Sequence, residues 1–173
     1  MPLCFAYGSN MDRAAMARRC PASRPLGVAR LMRHRFALMA EGYATVAPHP
    51  AGAVHGVLWD VALADMRALD AYEEVARGLY RKIIQPVLRA EGGSARALVY
   101  VGRAGASSTA LPGYMEAVIA AARAWDLPAV YIRSLEKLSP PGSLAPGAAL
   151  RDARREPSVA VRPRFATPFD RRE

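Results

Sequence analysis

The sequence predicts an α+β fold built on a curled, mostly antiparallel sheet. Strand-like segments come first, at 2–7, 26–40, 43–47 and 53–60, and mixed helical and strand segments follow. That order argues for an α+β arrangement rather than alternating βαβ units. A chain of 173 residues with 52% hydrophobic content is long enough for one domain with a substantial core.

Residues 2–7 form a short apolar run ending at Gly8, as expected for a buried strand and a turn. Asn10 suits a helix N-cap, Met11, Ala14 and Ala15 continue at helical spacing, and Arg18 and Arg19 complement the dipole before Pro21 ends the helix. Gly42 separates the strands 26–40 and 43–47, and a turn at Pro48, Pro50 and Gly52 precedes the strand 53–60. From Val61 to Glu74 the period changes. Leu63, Met66, Leu69, Asp70 and Glu73 recur at three and four, which predicts one amphipathic helix. Tyr80–Leu88 and Ala95–Val101 read as two strands joined by Glu91-Gly92-Gly93-Ser94. Pro112–Trp125 reads as a helix with Met115, Val118, Ile119, Ala122 and Trp125 on one face, and Pro128 fits the first turn of another helix, 128–138. Residues 139–173 hold 6 of the 14 prolines and are expected to form an extended or partly disordered tail.

Lys and Arg number 24 against 15 Asp and Glu, a net charge of +9, and only Lys82 and Lys137 are lysines. The excess lies in residues 1–35 and in the tail. A basic chain could bind nucleic acid, but no run of five or six like charges and no aromatic interleaving supports that partner. No apolar run approaches the roughly 18–20 residues of a bilayer span, so no membrane partner is expected. The first residues lack a charged region ahead of the apolar stretch, so no secretory leader is expected. Cys4 and Cys20 are the only cysteines. They suggest reduced thiols in a cytoplasmic protein, and neither they nor His34, His49 and His55 have metal-ligand spacing.

Two segments could carry chemistry. In Tyr7-Gly8-Ser9-Asn10-Met11, between a strand and a helix, the amides of Gly8, Ser9, Asn10 and Met11 would point outward and could hold a carboxylate or phosphate. The plainer reading is that Gly8 turns and Asn10 caps. The segment lacks the glycines and lysine of nucleotide-binding loops and does not fit a nucleophile elbow around Ser9. In Leu69-Asp70-Ala71-Tyr72-Glu73-Glu74, three carboxylates crowd the unfavourable C-terminal end of a helix. Glu73 shares the apolar face with Leu69 and Met66. A carboxylate facing a partly buried cavity has a raised pKa and can exchange protons near neutrality. The plainer reading pairs Glu73 with Arg77 or Arg81.

Together these residues resemble the gamma-glutamylcyclotransferases. Phe5-Ala6-Tyr7-Gly8-Ser9-Asn10-Met11 is similar to the family's opening motif. Gly42-Tyr43-Ala44-Thr45-Val46 and Val54-His55-Gly56-Val57-Leu58-Trp59 resemble its second and third blocks. Leu69-Asp70-Ala71-Tyr72-Glu73 resembles the helix end with the catalytic glutamate, Gly78-Leu79-Tyr80-Arg81 the following strand, and Pro112 with Tyr114 the start of the C-terminal helix. Glu74 stands where many relatives have glycine.

The resemblance implies a catalytic domain over residues 1–138, folded as a small mixed-strand β-barrel with helices packed around it, and an extension over 139–173. It implies release of an amino acid or amine from a gamma-glutamyl compound, with formation of 5-oxoproline. Asn10 favours the branch acting on gamma-glutamyl dipeptides. Glu73 would be the acid/base. Tyr7, Gly8, Ser9, Asn10 and Met11, with Tyr80 and Tyr114, would bind a small anionic substrate. No metal or organic cofactor would be needed, and a homodimer is compatible with the reading. The arginines near the loop would then attract the substrate. The rival readings are a non-catalytic binding module of the same fold and an arginine-rich nucleic-acid-binding protein.

Overall fold

The computed structural model describes residues 2–105 and 109–139, and the rest of the expected tail lies outside the described residues. The apolar run at the start forms β1 (Leu3–Ala6), which pairs on both sides. It lies antiparallel to β3 (Ala44–Asp60), from Leu3 opposite Asp60 to Ala6 opposite Val57, and parallel to β5 (Ser94–Val101) at Cys4 and Leu98. A strand bonded on both edges and covered on its faces has no place for polar side chains, which is why β1 reads as continuous apolar sequence. β2 (Arg24–Leu38) pairs with β3 and with β4 (Arg81–Arg89), and β4 pairs with β5. The order β1-β3-β2-β4-β5 closes into a five-stranded barrel in which only the β1–β5 seam is parallel.

The helices attach to this barrel. α1 (Arg13–Arg19) follows β1, α2 (Met66–Tyr72) follows β3, and α3 (Tyr114–Ala124) and α4 (Ala129–Glu136) follow β5. Phe5, Leu31, Val54, Leu58, Val87 and Val99 from the strands form one buried cluster with Met115, Val118, Ile119 and Ala122 of α3. The helical face expected over 112–125 is therefore the packed face. Among the described residues no helix is long and apolar enough to cross a membrane.

Four local expectations need correction. The strands 43–47 and 53–60 are one strand, β3, without a turn at Pro48, Pro50 and Gly52. Its register against β2 shifts between the pairs Met32–Ala53 and His34–Pro48, so the extra residues are absorbed as a bulge. Gly52 allows this because a Cβ there would stand 2.3 Å from the His34 carbonyl oxygen. The helix expected over Val61–Glu74 is a 3-10 turn, Leu63–Asp65, followed by α2, and Leu63 is 74% exposed. The first helix is capped by Asp12, whose carboxylate accepts from the Ala15 amide at 2.6 Å, and not by Asn10. Residues Ser9–Met11 tighten into a 3-10 turn that delays the start of α1 and releases Asn10 from capping. Pro128, expected inside the first turn of α4, is instead its N-cap.

Candidate active site

The β1–α1 loop and the C-terminal end of α2 meet beside the β1–β5 seam. Tyr7 and Gly8 continue β1, and the 3-10 turn uses the Met11 amide to bond the Gly8 carbonyl at 3.0 Å. The amides of Ser9 and Asn10, at the start of this turn, have no acceptor within it. Met11 does not face the cavity as expected; it is fully buried, and its carbonyl accepts from Trp125 Nε1 at 2.8 Å. α2 ends at Glu73, which occupies the C-cap with φ −80° and ψ 2°. Glu74 then turns left-handed at φ 50°, a reversal that glycine makes more cheaply.

These elements surround a cavity of ≈ 30 Å³. Glu73, Tyr7, Gly8, Ser9, Asn10, Tyr80 and Tyr114 all line it, and Cys4, Phe5, Ala6, Ala44 and Tyr100 complete the wall. Glu73 is only 6% exposed, and its Oε1 accepts from Asn10 Nδ2 at 2.6 Å. Arg19 Nη1 donates to Asn10 Oδ1, and its guanidinium lies 3.2 Å from the centre of the Tyr72 ring. The Tyr72 hydroxyl and Ser9 Oγ share a hydrogen bond of 3.0 Å. Arg77, one of the two arginines expected as partners for Glu73, bonds Glu74 at 2.8 Å.

Tyrosines make the far wall. The Tyr80 hydroxyl donates to the Ala44 carbonyl at 2.7 Å, and the Ala44 amide donates to the Tyr114 hydroxyl at 3.1 Å. Two tyrosines thus clamp one residue at the start of β3. A Cβ on Gly8 would stand 2.9 Å from the Tyr114 hydroxyl and 3.3 Å from the Ala44 Cβ, so only glycine lets the loop approach this wall. The Tyr7 hydroxyl donates to the Tyr100 carbonyl, and the Tyr100 hydroxyl donates to Asp70 Oδ1 at 2.7 Å. Asp70 also bonds Lys82 at 2.8 Å.

Burial, then the nearby charge of Glu73, pushes the Tyr7 hydroxyl and the Cys4 thiol well above their ordinary pKa values. Burial and the bond to Asp70 do the same for Tyr100. All three keep their protons at neutral pH. The chemistry such a site can perform is proton exchange at a held carboxyl. Among the described residues no three His, Cys, Asp or Glu side chains gather to hold a metal ion.

Sequence reasoning left the role of Tyr100 open, named Asp70 only as one of three carboxylates at the helix end and Tyr72 only within the same motif, and gave Arg19 no part beyond the helix dipole. Tyr100 and Arg19 carry no local signal. One sits in an ordinary strand, and the other satisfies a helix dipole as well as Arg18 does.

Residues 53–135 match the AIG2-like family. A curated relative, gamma-glutamylcyclotransferase of Homo sapiens, is 28% identical over 148 residues, covering 80% of this chain and 79% of that protein. In sequence and in fold, this chain resembles the gamma-glutamylcyclotransferase family. A solved structure of a gamma-glutamyl cyclotransferase superposes with a TM-score of 0.76 at 26% identity, over 87% of this chain and 94% of that one. An uncharacterized protein from Homo sapiens gives 0.74 at 26% identity, over 86% and 93%. YkqA from Bacillus subtilis shares the fold at 22% identity and a TM-score of 0.67, covering 79% of this chain and 53% of its own. The closed mixed barrel with its four helices is the gamma-glutamylcyclotransferase-like fold.

Proposed function

We propose that this chain is a cytoplasmic gamma-glutamylcyclotransferase, converting a gamma-glutamyl amino acid or amine to 5-oxoproline and the free amino acid or amine. The observation that carries the reading is Glu73, buried in the cavity wall with one carboxyl oxygen held by Asn10. The similarity to the human enzyme adds to it.

The reaction is intramolecular. The substrate's α-amine attacks its own γ-carbonyl carbon and closes a five-membered ring, so the protein has to hold the folded conformer and move protons. An α-ammonium has no lone pair to attack with. Glu73 takes one proton from it, the amine nitrogen bonds the carbonyl carbon, and the bond to the leaving nitrogen breaks as Glu73 returns that proton to it; the ring nitrogen's second surplus proton then passes through the same carboxylate to the released amine, leaving the lactam N–H and an ammonium. The amides of Ser9 and Asn10 receive the α-carboxylate or the developing oxyanion, and Tyr7, Tyr80 and Tyr114 shape the pocket around the ring.

The test is Glu73→Gln, which keeps shape and removes the base. It is expected to lower 5-oxoproline release by roughly 100-fold or more, the usual range for losing a general base, with circular dichroism unchanged. Glu74→Gln, altering a residue that pairs with Arg77, is expected to stay near wild type. Full activity in Glu73→Gln, or no 5-oxoproline from wild type across a panel of gamma-glutamyl dipeptides and amines, would overturn the proposal.

A further inference from the structure

We propose that Arg19 is a positioning residue that holds the Glu73 carboxyl in its proton-accepting state, acting through the side-chain amide of Asn10. The inference rests on the reading of Glu73 as the acid/base.

A guanidinium carries donors only. Because Arg19 Nη1 donates to Asn10 Oδ1, the oxygen end of that amide faces Arg19 and its NH2 end faces Glu73. An amide NH2 cannot accept, so the Glu73 oxygen 2.6 Å away must, and an ionised carboxylate is the better acceptor. With the amide turned over, two oxygens would meet, and only a proton on Glu73 could bridge them. A donor-only head at one end of Asn10 therefore sets the polarity at the other. The guanidinium is itself held, stacked on the ring of Tyr72, the residue before Glu73, while the Tyr72 hydroxyl bonds Ser9. Arg19 is half-buried, whereas neighbouring Arg18 is exposed.

Other titratable groups also surround Glu73. Cys4 of β1, Tyr7 just after it and Tyr100 of β5 are held protonated by burial. The Tyr80 hydroxyl donates to the Ala44 carbonyl, and the Tyr114 hydroxyl oxygen accepts from the Ala44 amide. Asp70 of α2 is engaged by Tyr100 and Lys82.

Glu73 can be read directly and without substrate, by titrating its δ-carbon resonance in carbon-13 glutamate-labelled protein, assigned by its loss in Glu73→Gln. Arg19→Met is expected to raise the midpoint by about one pH unit, and Arg18→Met to leave it in place. In an Asn10→Ala background, adding Arg19→Met is expected to move the midpoint little further, because the path runs through Asn10. Arg19→Lys keeps a donor-only head and is expected to restore most of the wild-type midpoint. In activity, the acid limb of kcat is expected to move up by the same amount while KM changes little. Should Arg19→Met fail to fold, Arg19→Gln, whose own carbonyl lets Asn10 turn over, is titrated in its place.

An unchanged midpoint in the Arg19 variant, or an undiminished shift in the Asn10→Ala background, overturns the inference. The titration separates this outcome from failure of the catalytic reading. A wild-type protein that makes no 5-oxoproline, yet shows the Arg19-dependent midpoint, overturns only the catalytic reading.

Discussion

The side-chain amide of Asn10 donates to Glu73 Oε1 at 2.6 Å, joining two residues 63 positions apart in the sequence. This contact ties the loop after β1 to the end of α2 and orients a carboxyl in the cavity wall.

Removing the Asn10 donor leaves a buried carboxylate oxygen without that partner, a loss of about 1–3 kcal/mol. Asn10→Ala is expected to lower kcat by roughly 10- to 100-fold with a smaller change in KM, since 1.4 kcal/mol is tenfold. Asn10→Asp would set a second carboxylate against Glu73. The two would share a proton, and the acid limb of the pH–rate profile is expected to move to higher pH. Steady-state assays of 5-oxoproline release across pH read both variants.

Gly8→Ala would place a methyl group 2.9 Å from the Tyr114 hydroxyl. Either the loop retreats from the wall or Tyr114 loses its bond with the Ala44 amide. Overpacking of this kind costs about 1–3 kcal/mol. A lower melting temperature is expected together with a fall in kcat/KM, because the loop bearing Ser9 and Asn10 moves with Gly8. A variant that melts and turns over like wild type would show that the close approach is dispensable.

Burial, reinforced by Asp65, pushes the Cys20 thiol from 9.0 up to about 11. The folded state then keeps a proton that the unfolded chain releases above pH 9.0. The stability this thiol contributes is complete below pH 9.0 and is lost as pH rises through about 11, a change of about 2 kcal/mol. Denaturant midpoints at stepped alkaline pH are expected to fall more steeply in wild type than in Cys20→Ala. Parallel slopes would remove Cys20 as a contributor.

The local pattern of the chain was sufficient for most elements. β1, the β4–β5 hairpin and the buried face of α3 appear where their periodicity placed them, because each buries its apolar side against the nearest core. The exceptions are places where a distant contact outweighs a local signal. Pro48, Pro50 and Gly52 read as a turn, yet the chain stays extended because β2 runs alongside and accommodates the bulge. Asn10 reads as a cap, yet Asp12 performs that task and Asn10 turns to Glu73. Leu63 reads as the first apolar residue of a helix, yet it is exposed in a separate 3-10 turn.

By itself the sequence determined that this is an α+β chain and that Glu73 lies on the apolar face at the end of a helix. Short-range periodicity and turn chemistry encode such features. Tertiary structure alone decided that β1 and β5 close the barrel in parallel, that Tyr100 and Ala44 complete the cavity wall, and that Arg19 reaches Asn10 and not solvent. Those outcomes depend on which segments barrel closure brings side by side, and spacing along the chain carries no record of them.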